Sequence, residues 1–168
     1  MTASTPVPDL IDAVVGFRQW RLHGDRLHSP YRRVVWRHPD LAAHCALEGH
    51  GLNAIPDPQC TCGIYAYYDP CPRTASAGTR DLVAGAVVLW GAMELYGGGM
   101  RAAHCRIVAL ALPLSWGRKR AAAVAAASRL GVPIVPHRML GAHAERHGAP
   151  IPASLRPRAL AVHAGGRI

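Results

Sequence analysis

Two apolar runs joined by a glycine turn dominate the hydrophobic pattern of this chain. Leu82 to Leu95 is apolar except for Glu94, and beyond Tyr96-Gly97-Gly98-Gly99 comes MRAAHCRIVALAL, residues 100 to 112. Such a pattern predicts two long strands around a tight turn. Symmetric pairing about the turn sets Leu95 opposite Met100 and Glu94 opposite Arg101, an opposite-charge pair worth about 0.2–1 kcal/mol. The pair also pins register, because a one-residue slip would send Arg101 to the other face.

Upstream, Phe17, Gln19 and Arg21 alternate with Arg18, Trp20 and Leu22. This predicts strands from Gly16 to Trp36, turning at His23-Gly24-Asp25, with neither face cleanly apolar. Pro39-Asp40 opens a short helical turn over LAAHCAL, residues 41 to 47. GIYAYY, residues 63 to 68, reads as a short strand, and 69 to 80 as a loop. Downstream, Pro113 closes the hairpin and Ser115 can cap a helix over residues 116 to 130, with Gly131 at its C-terminal left-handed position. Arg118-Lys119-Arg120 occupy its first turn, where the macrodipole disfavours cations. Residues 132 to 135 are extended, and a second helix over 138 to 147 stops at Gly148.

This order predicts an α+β domain, with a small β-barrel-like sheet, a metal-binding loop and a helix–extended–helix C-terminal part. Closure into a barrel would remove the exposed strand edges. The organisation reads as a flexible lead-in over 1–9, one domain over 10–148 with its metal loop at 44–63, and a Pro/Arg-rich tail over 149–168.

The sharpest chemistry lies in that loop. Cys45, His50, Cys60 and Cys62 fall within eighteen positions among Gly49, Gly51, Pro56, Pro58 and Gly63. Thiolate and imidazole are the donors Zn²⁺ prefers, and a tetrahedral Cys₃His site needs four of them on a chain able to fold back. The spacing, C-x₄-H-x₉-C-x-C, matches neither a two-CxxC ribbon nor a C₂H₂ finger, and no spacing matches an iron–sulfur motif. Zinc is the expected cofactor, with His44 or Cys71 as alternatives for the fourth ligand. Against it stands the plainer option that the cysteines are small buried hydrophobes.

At 168 residues the chain can bury one ordinary core, and with a single Phe that core draws on Leu, Val, Ile, four Trp and five Tyr. Five cysteines and an N-terminus without a secretory pattern point to a reducing cytoplasm. The longest apolar run falls short of the roughly 20 residues a bilayer span requires, so no membrane partner is expected. The net charge is +9, carried by eighteen Arg and one Lys. Arg forks suit phosphate, and Arg18, Arg21, Arg32, Arg33 and Arg37 interleave with Trp20, Tyr31 and Trp36. Arg18, Trp20, Arg21, Arg32, Arg33 and Arg37 are therefore the candidate nucleic-acid contacts, to DNA or RNA. Tyr65 and Trp90 are expected in the core.

Gly16, Arg18 and Trp20, Cys45 with His50, the run PDPQCTCGIYA at 56–66 and GAVVLWG at 85–91 together resemble a widespread group of small bacterial proteins. The resemblance spans most of residues 16 to 112 and implies no activity. The strand–Gly–strand character of GAVVLWGAMEL is also similar to PUA-like barrels, which implies an RNA-binding barrel.

Two other classes compete with nucleic-acid binding. An enzyme would use three Cys ligands and an open metal position, with His50 or Glu48 as proton acceptor, or a group of Glu94, Arg101, His104 and Cys105. Three thiolates would acidify a bound water poorly, and HExxH, GxSxG, P-loop and GxGxxG motifs are all missing. A scaffold that docks a protein partner through Val124 and Leu130 on the Ala-rich helix is the other alternative.

Overall fold

The computed structural model describes residues 13–31, 34–70, 82–114 and 117–158. Nine strands and two helices make up the described fold: β1 (Val14–His23), β2 (Arg26–His28), β3 (Val35–Trp36), β4 (Asp40–Ala42), β5 (Ile64–Tyr67), β6 (Leu82–Tyr96), β7 (Gly99–Leu112), α1 (Arg118–Leu130), β8 (Ile134–Pro136), α2 (Leu140–Ala144) and β9 (Ala149–Pro150). Ser115, Trp116, Cys71, Arg32 and Arg33 lie outside the described residues, as do 1–9 and the end of the tail.

The hairpin β6–β7 is the backbone of the sheet. Tyr96 pairs with Gly99, Leu95 with Met100, Glu94 with Arg101 and Met93 with Ala102, so near the turn the register follows from the charge pair. Farther out the ladder shifts twice, between Trp90 and Met93 and between Ala86 and Val87. Each shift changes which residues face which side, as a bulge does. Val83, Val87 and Leu89 of β6 enter one apolar cluster with Met100, Ala102, Cys105, Ile107 and Leu110 of β7. Ala84, Ala86 and Val88 enter a second on the opposite face, with Val108, Ala109 and Ala111. A strand buried on both faces reads as a continuous apolar run, which is how Leu82 to Leu89 reads.

Helices cover both faces. Ala123, Ala126, Ala127 and Leu130, at i, i+3, i+4 and i+7, lay α1 on the first cluster, and Leu140 and Ala144 place α2 on the second. Leu130 is thus core and is no partner contact, whereas Val124 is exposed. Gly131 ends α1 at φ 66°, and its N–H reaches Ala127 and Ser128 carbonyls. A 3-10 turn over His137–Met139 leads into the five-residue α2. β8 runs parallel to β7, β9 runs parallel to β1, and Ile151 just beyond β9 is buried.

The sheet is mixed and branched, and the expected barrel does not form. Its path is β3-β2-β1-β5-β7-β4, with β6 paired to both β1 and β7. β5 meets β1 at one residue pair, Phe17 with Tyr67, so no continuous ladder seals a barrel wall. The helical turn expected over 41–47 is also replaced. Asp40, Leu41 and Ala42 pair with Arg106, Cys105 and His104 as β4, and the Arg106 guanidinium grips both Asp40 oxygens at 2.6 and 3.0 Å. Sheet pairing here outweighs the helix preference of LAAHCAL.

β1 carries the larger correction. Trp20 is 0% exposed, crosses Trp36 edge-on at 5.5 Å, and sits so close to Gly85 that a Cβ there would meet its ring at 2.8 Å. It offers no face to a base. Truncating a buried Trp to Ala costs about 3–5 kcal/mol. Trp20→Ala should therefore lose stability of that order in urea unfolding; a variant as stable as the parent would contradict this packing.

Candidate metal centre

β7 positions the metal loop. β6 occupies one of its edges, so β4, at residues 104–106, and β5, at residues 99–102, lie end to end along the other. The chain from Ala43 to Gly63 leaves and rejoins the same edge. It is a long excursion with fixed ends. Ala43 extends the β4 pairing by donating its N–H to Ala103 O at 2.7 Å. Cys45 follows at once, and Cys60 and Cys62 come just before β5. A 3-10 turn over Leu52–Ala54 and the N–H of Cys60 on Asp57 O fold the span between.

The four donors converge. One ligand atom from each of Cys45, His50, Cys60 and Cys62 lies within 4.8 Å of all the others, the only such group of three or more among the described residues. Cys45 Sγ and Cys60 Sγ are 3.7 Å apart, and Cys62 Sγ is 3.8 Å from His50 Nδ1. Sulfurs on a tetrahedral ion with bonds of about 2.3 Å sit about 3.8 Å from one another, and sulfur sits about 3.6 Å from an imidazole nitrogen. These side chains could hold one metal ion. His44 is exposed and outside the group.

Backbone N–H groups point at the sulfurs. Glu48 donates to Cys45 Sγ at 3.3 Å and Asp57 to Cys62 Sγ at 3.5 Å. The Glu48 N–H is the main reason the Cys45 thiol is drawn down to about 6, with further help from the His50 and Leu47 amides against burial. Burial, with Cys45 and Cys62 sulfur beside it, pushes Cys60 upward. Such opposed neighbours are what a shared cation reconciles. Asp57 faces the outer nitrogen of His50, with Oδ2 4.0 Å from Nε2, and so favours the tautomer that leaves Nδ1 for the metal. Only Ile55 and Ala43 pack with the cysteines as apolar partners, which makes a poor hydrophobic pocket.

Arg101 is the residue the spacing did not reveal. It is 3% exposed, and its Nε donates to Glu94 Oε2 at 2.5 Å. Its two terminal nitrogens reach into the loop, one to Cys62 O at 2.9 Å and to Cys60 O, the other to Asp57 O at 2.7 Å. The carbonyls on both sides of the Cys-x-Cys pair are thereby tied to the hairpin. Burial works to lower the Arg101 pKa, but Glu94, Tyr96 and Tyr65 outweigh it and hold the guanidinium above its ordinary value. Gly63 makes room: at φ 118°, a Cβ there would meet Arg101 Cδ at 3.2 Å. The Glu94–Arg101 pair was legible as a register pin. Its reach into the loop depends on how β5 aligns with β7.

The other expected site residues scatter. Arg18 faces inward: its guanidinium donates to Tyr65 O and to Ser29 Oγ at 3.2 Å and lies over the Trp36 ring, so it is not offered to phosphate. Burial lowers its pKa. Arg21 and Arg37 are exposed, while Arg32 and Arg33 lie outside the described residues. Tyr65 and Trp90, expected in the core, are 43% and 39% exposed. Glu94, Arg101, His104 and Cys105 form no reactive group, because Arg101 holds Glu94 while burial pushes the Cys105 thiol up to about 12. Among the described residues no helix is long and apolar enough to cross a membrane.

No family model, curated protein or solved structure matches the chain. The class it defines is a mixed α+β domain with a Cys₃His cluster clamped to its central hairpin.

Removing one member of a buried ion pair strands the other charge, at a cost of about 3–5 kcal/mol. Arg101→Met should lose about that much in chemical denaturation, and adding Glu94→Gln should recover part of it. Equal stability of parent and Arg101→Met would refute the clamp.

Proposed function

We propose that the protein is a zinc-stabilised basic domain that binds single-stranded nucleic acid. The observation that carries the zinc half is the spacing of the four donors. Three sulfurs and one imidazole at tetrahedral separations, with two N–H···S bonds, suit a borderline-soft ion that has no geometric preference of its own. Four protein donors leave no position for a water, so the ion's role is structural. It would supply charge neutralisation and cross-linking to a loop whose own apolar content is small.

The nucleic-acid half draws on charge and on exposed rings. A net charge of +9 attracts polyanions over the whole surface. With Trp20 and Arg18 withdrawn into the fold, stacking falls to tyrosine: Tyr31 is 89% exposed, and Tyr65 and Tyr67 are partly open. Arg21 and Arg37 remain as surface cations. Phosphate contacts of this kind are sequence-tolerant and weaken with salt.

Two measurements test the halves separately. Purified protein should contain one zinc per chain, and Cys60→Ser should lose most of it and melt at a lower temperature, since site and loop fold together. Full zinc in that variant would remove Cys60 from the ligand set. Binding of labelled oligonucleotide should fall steeply between 50 and 200 mM salt, by about one unit of log–log slope per phosphate contacted. No binding at the lower salt would refute the nucleic-acid half and leave the zinc half intact.

A further inference from the structure

Beside the metal loop lies a groove of about 500 Å³, within the usual range of about 300–1,000 Å³ for small-ligand sites. Its walls combine aromatic rings with buried polar groups. Tyr31, Tyr65, Tyr67 and Tyr96 line it, together with Arg18 and Gln19 from β1. Thr61 and Gly63 carry the wall into the Cys-x-Cys segment, so the metal loop shapes one side. Tyr65 and Tyr96 stack at 6.0 Å with their planes 18° apart.

Three polar atoms on the lining residues are buried without a partner: Arg18 Nε, Gln19 Nε2 and Tyr96 Oη. An unsatisfied buried donor is costly, and native folds rarely carry several together unless something answers them. Arg18 Nε–H and Gln19 Nε2–H can only donate. The complement is therefore a flat ring whose edge carries carbonyl oxygens.

We propose that this groove takes a single unstacked base with an oxo edge, of the uracil, thymine or guanine kind, between its tyrosines. The proposal rests on the nucleic-acid reading above and narrows it. Stacking would fall to Tyr31 at the rim, and recognition of the carbonyl edge to Gln19 and Arg18. Adenine has no carbonyl oxygen and would leave both donors unanswered, so it should bind more weakly.

The test uses the zinc-loaded full chain and four probes: labelled U₁₀, labelled A₁₀, an abasic strand of the same length, and free uridine monophosphate. U₁₀ should bind more tightly than A₁₀ and than the abasic strand. Tyr31→Ala, at a position open enough to leave folding unchanged, should weaken U₁₀ by about five- to 150-fold, the range for loss of one stacking contact. It should leave the abasic strand unaffected. Gln19→Leu should abolish the preference for U₁₀ over A₁₀. If the abasic strand binds as tightly as U₁₀ and Tyr31→Ala changes nothing, the groove proposal is overturned while nucleic-acid binding stands. If no strand binds, that reading fails, and free uridine monophosphate decides the groove. Amide shifts confined to Ala66, Gly98 and Gly99 would then support a ring site, and their absence would overturn it.

Discussion

One buried guanidinium organises the functional end of this protein. Arg101 stands on the central hairpin, is neutralised there by Glu94, and donates to Asp57 O, Cys60 O and Cys62 O. An arginine has five N–H groups in a rigid fork and cannot shed its charge, so a fold that buries it must surround it with acceptors. Here the acceptors are one carboxylate and the backbone of a loop otherwise poor in hydrogen-bonded structure. The need to satisfy Arg101 and the need to shape the Cys-x-Cys turn are met by the same bonds.

That arrangement divides the labour between sheet and metal. The hairpin fixes where Cys60 and Cys62 stand, and β4, paired to the same edge of β7, fixes Cys45. His50 is held more lightly, on a loop between glycines and against Asp57. An ion bound by all four would close the span from Ala43 to Gly63 at its middle, where few apolar contacts can do so. The groove lies against the clamped end of the loop, so a shift of Arg101 would reach both the ligand set and the groove wall.

The sequence made legible what depends on local pattern. The hairpin, its register at Glu94 and Arg101, and the four donors all follow from residue type and spacing. What it hid depends on which strands become neighbours. LAAHCAL carries helix formers, yet its start becomes β4 because β7 offers an open edge and Arg106 answers Asp40. Trp20 and Arg18 read as a nucleic-acid face because β1 alternates, but both of their sides are covered: Trp36 and Gly85 meet Trp20, while Tyr65 O and Ser29 hold Arg18. The barrel expected from the strand count gives way to a branched sheet because β5 is too short to pair fully with β1.

The central claim is a single zinc ion on three thiolates and one imidazole. X-ray absorption at the zinc edge of the purified full chain tests it most directly. The account predicts three sulfur scatterers at about 2.3 Å and one nitrogen at about 2.0–2.1 Å. A first shell of oxygen and nitrogen without sulfur, or no zinc edge from protein purified without chelator, would contradict it.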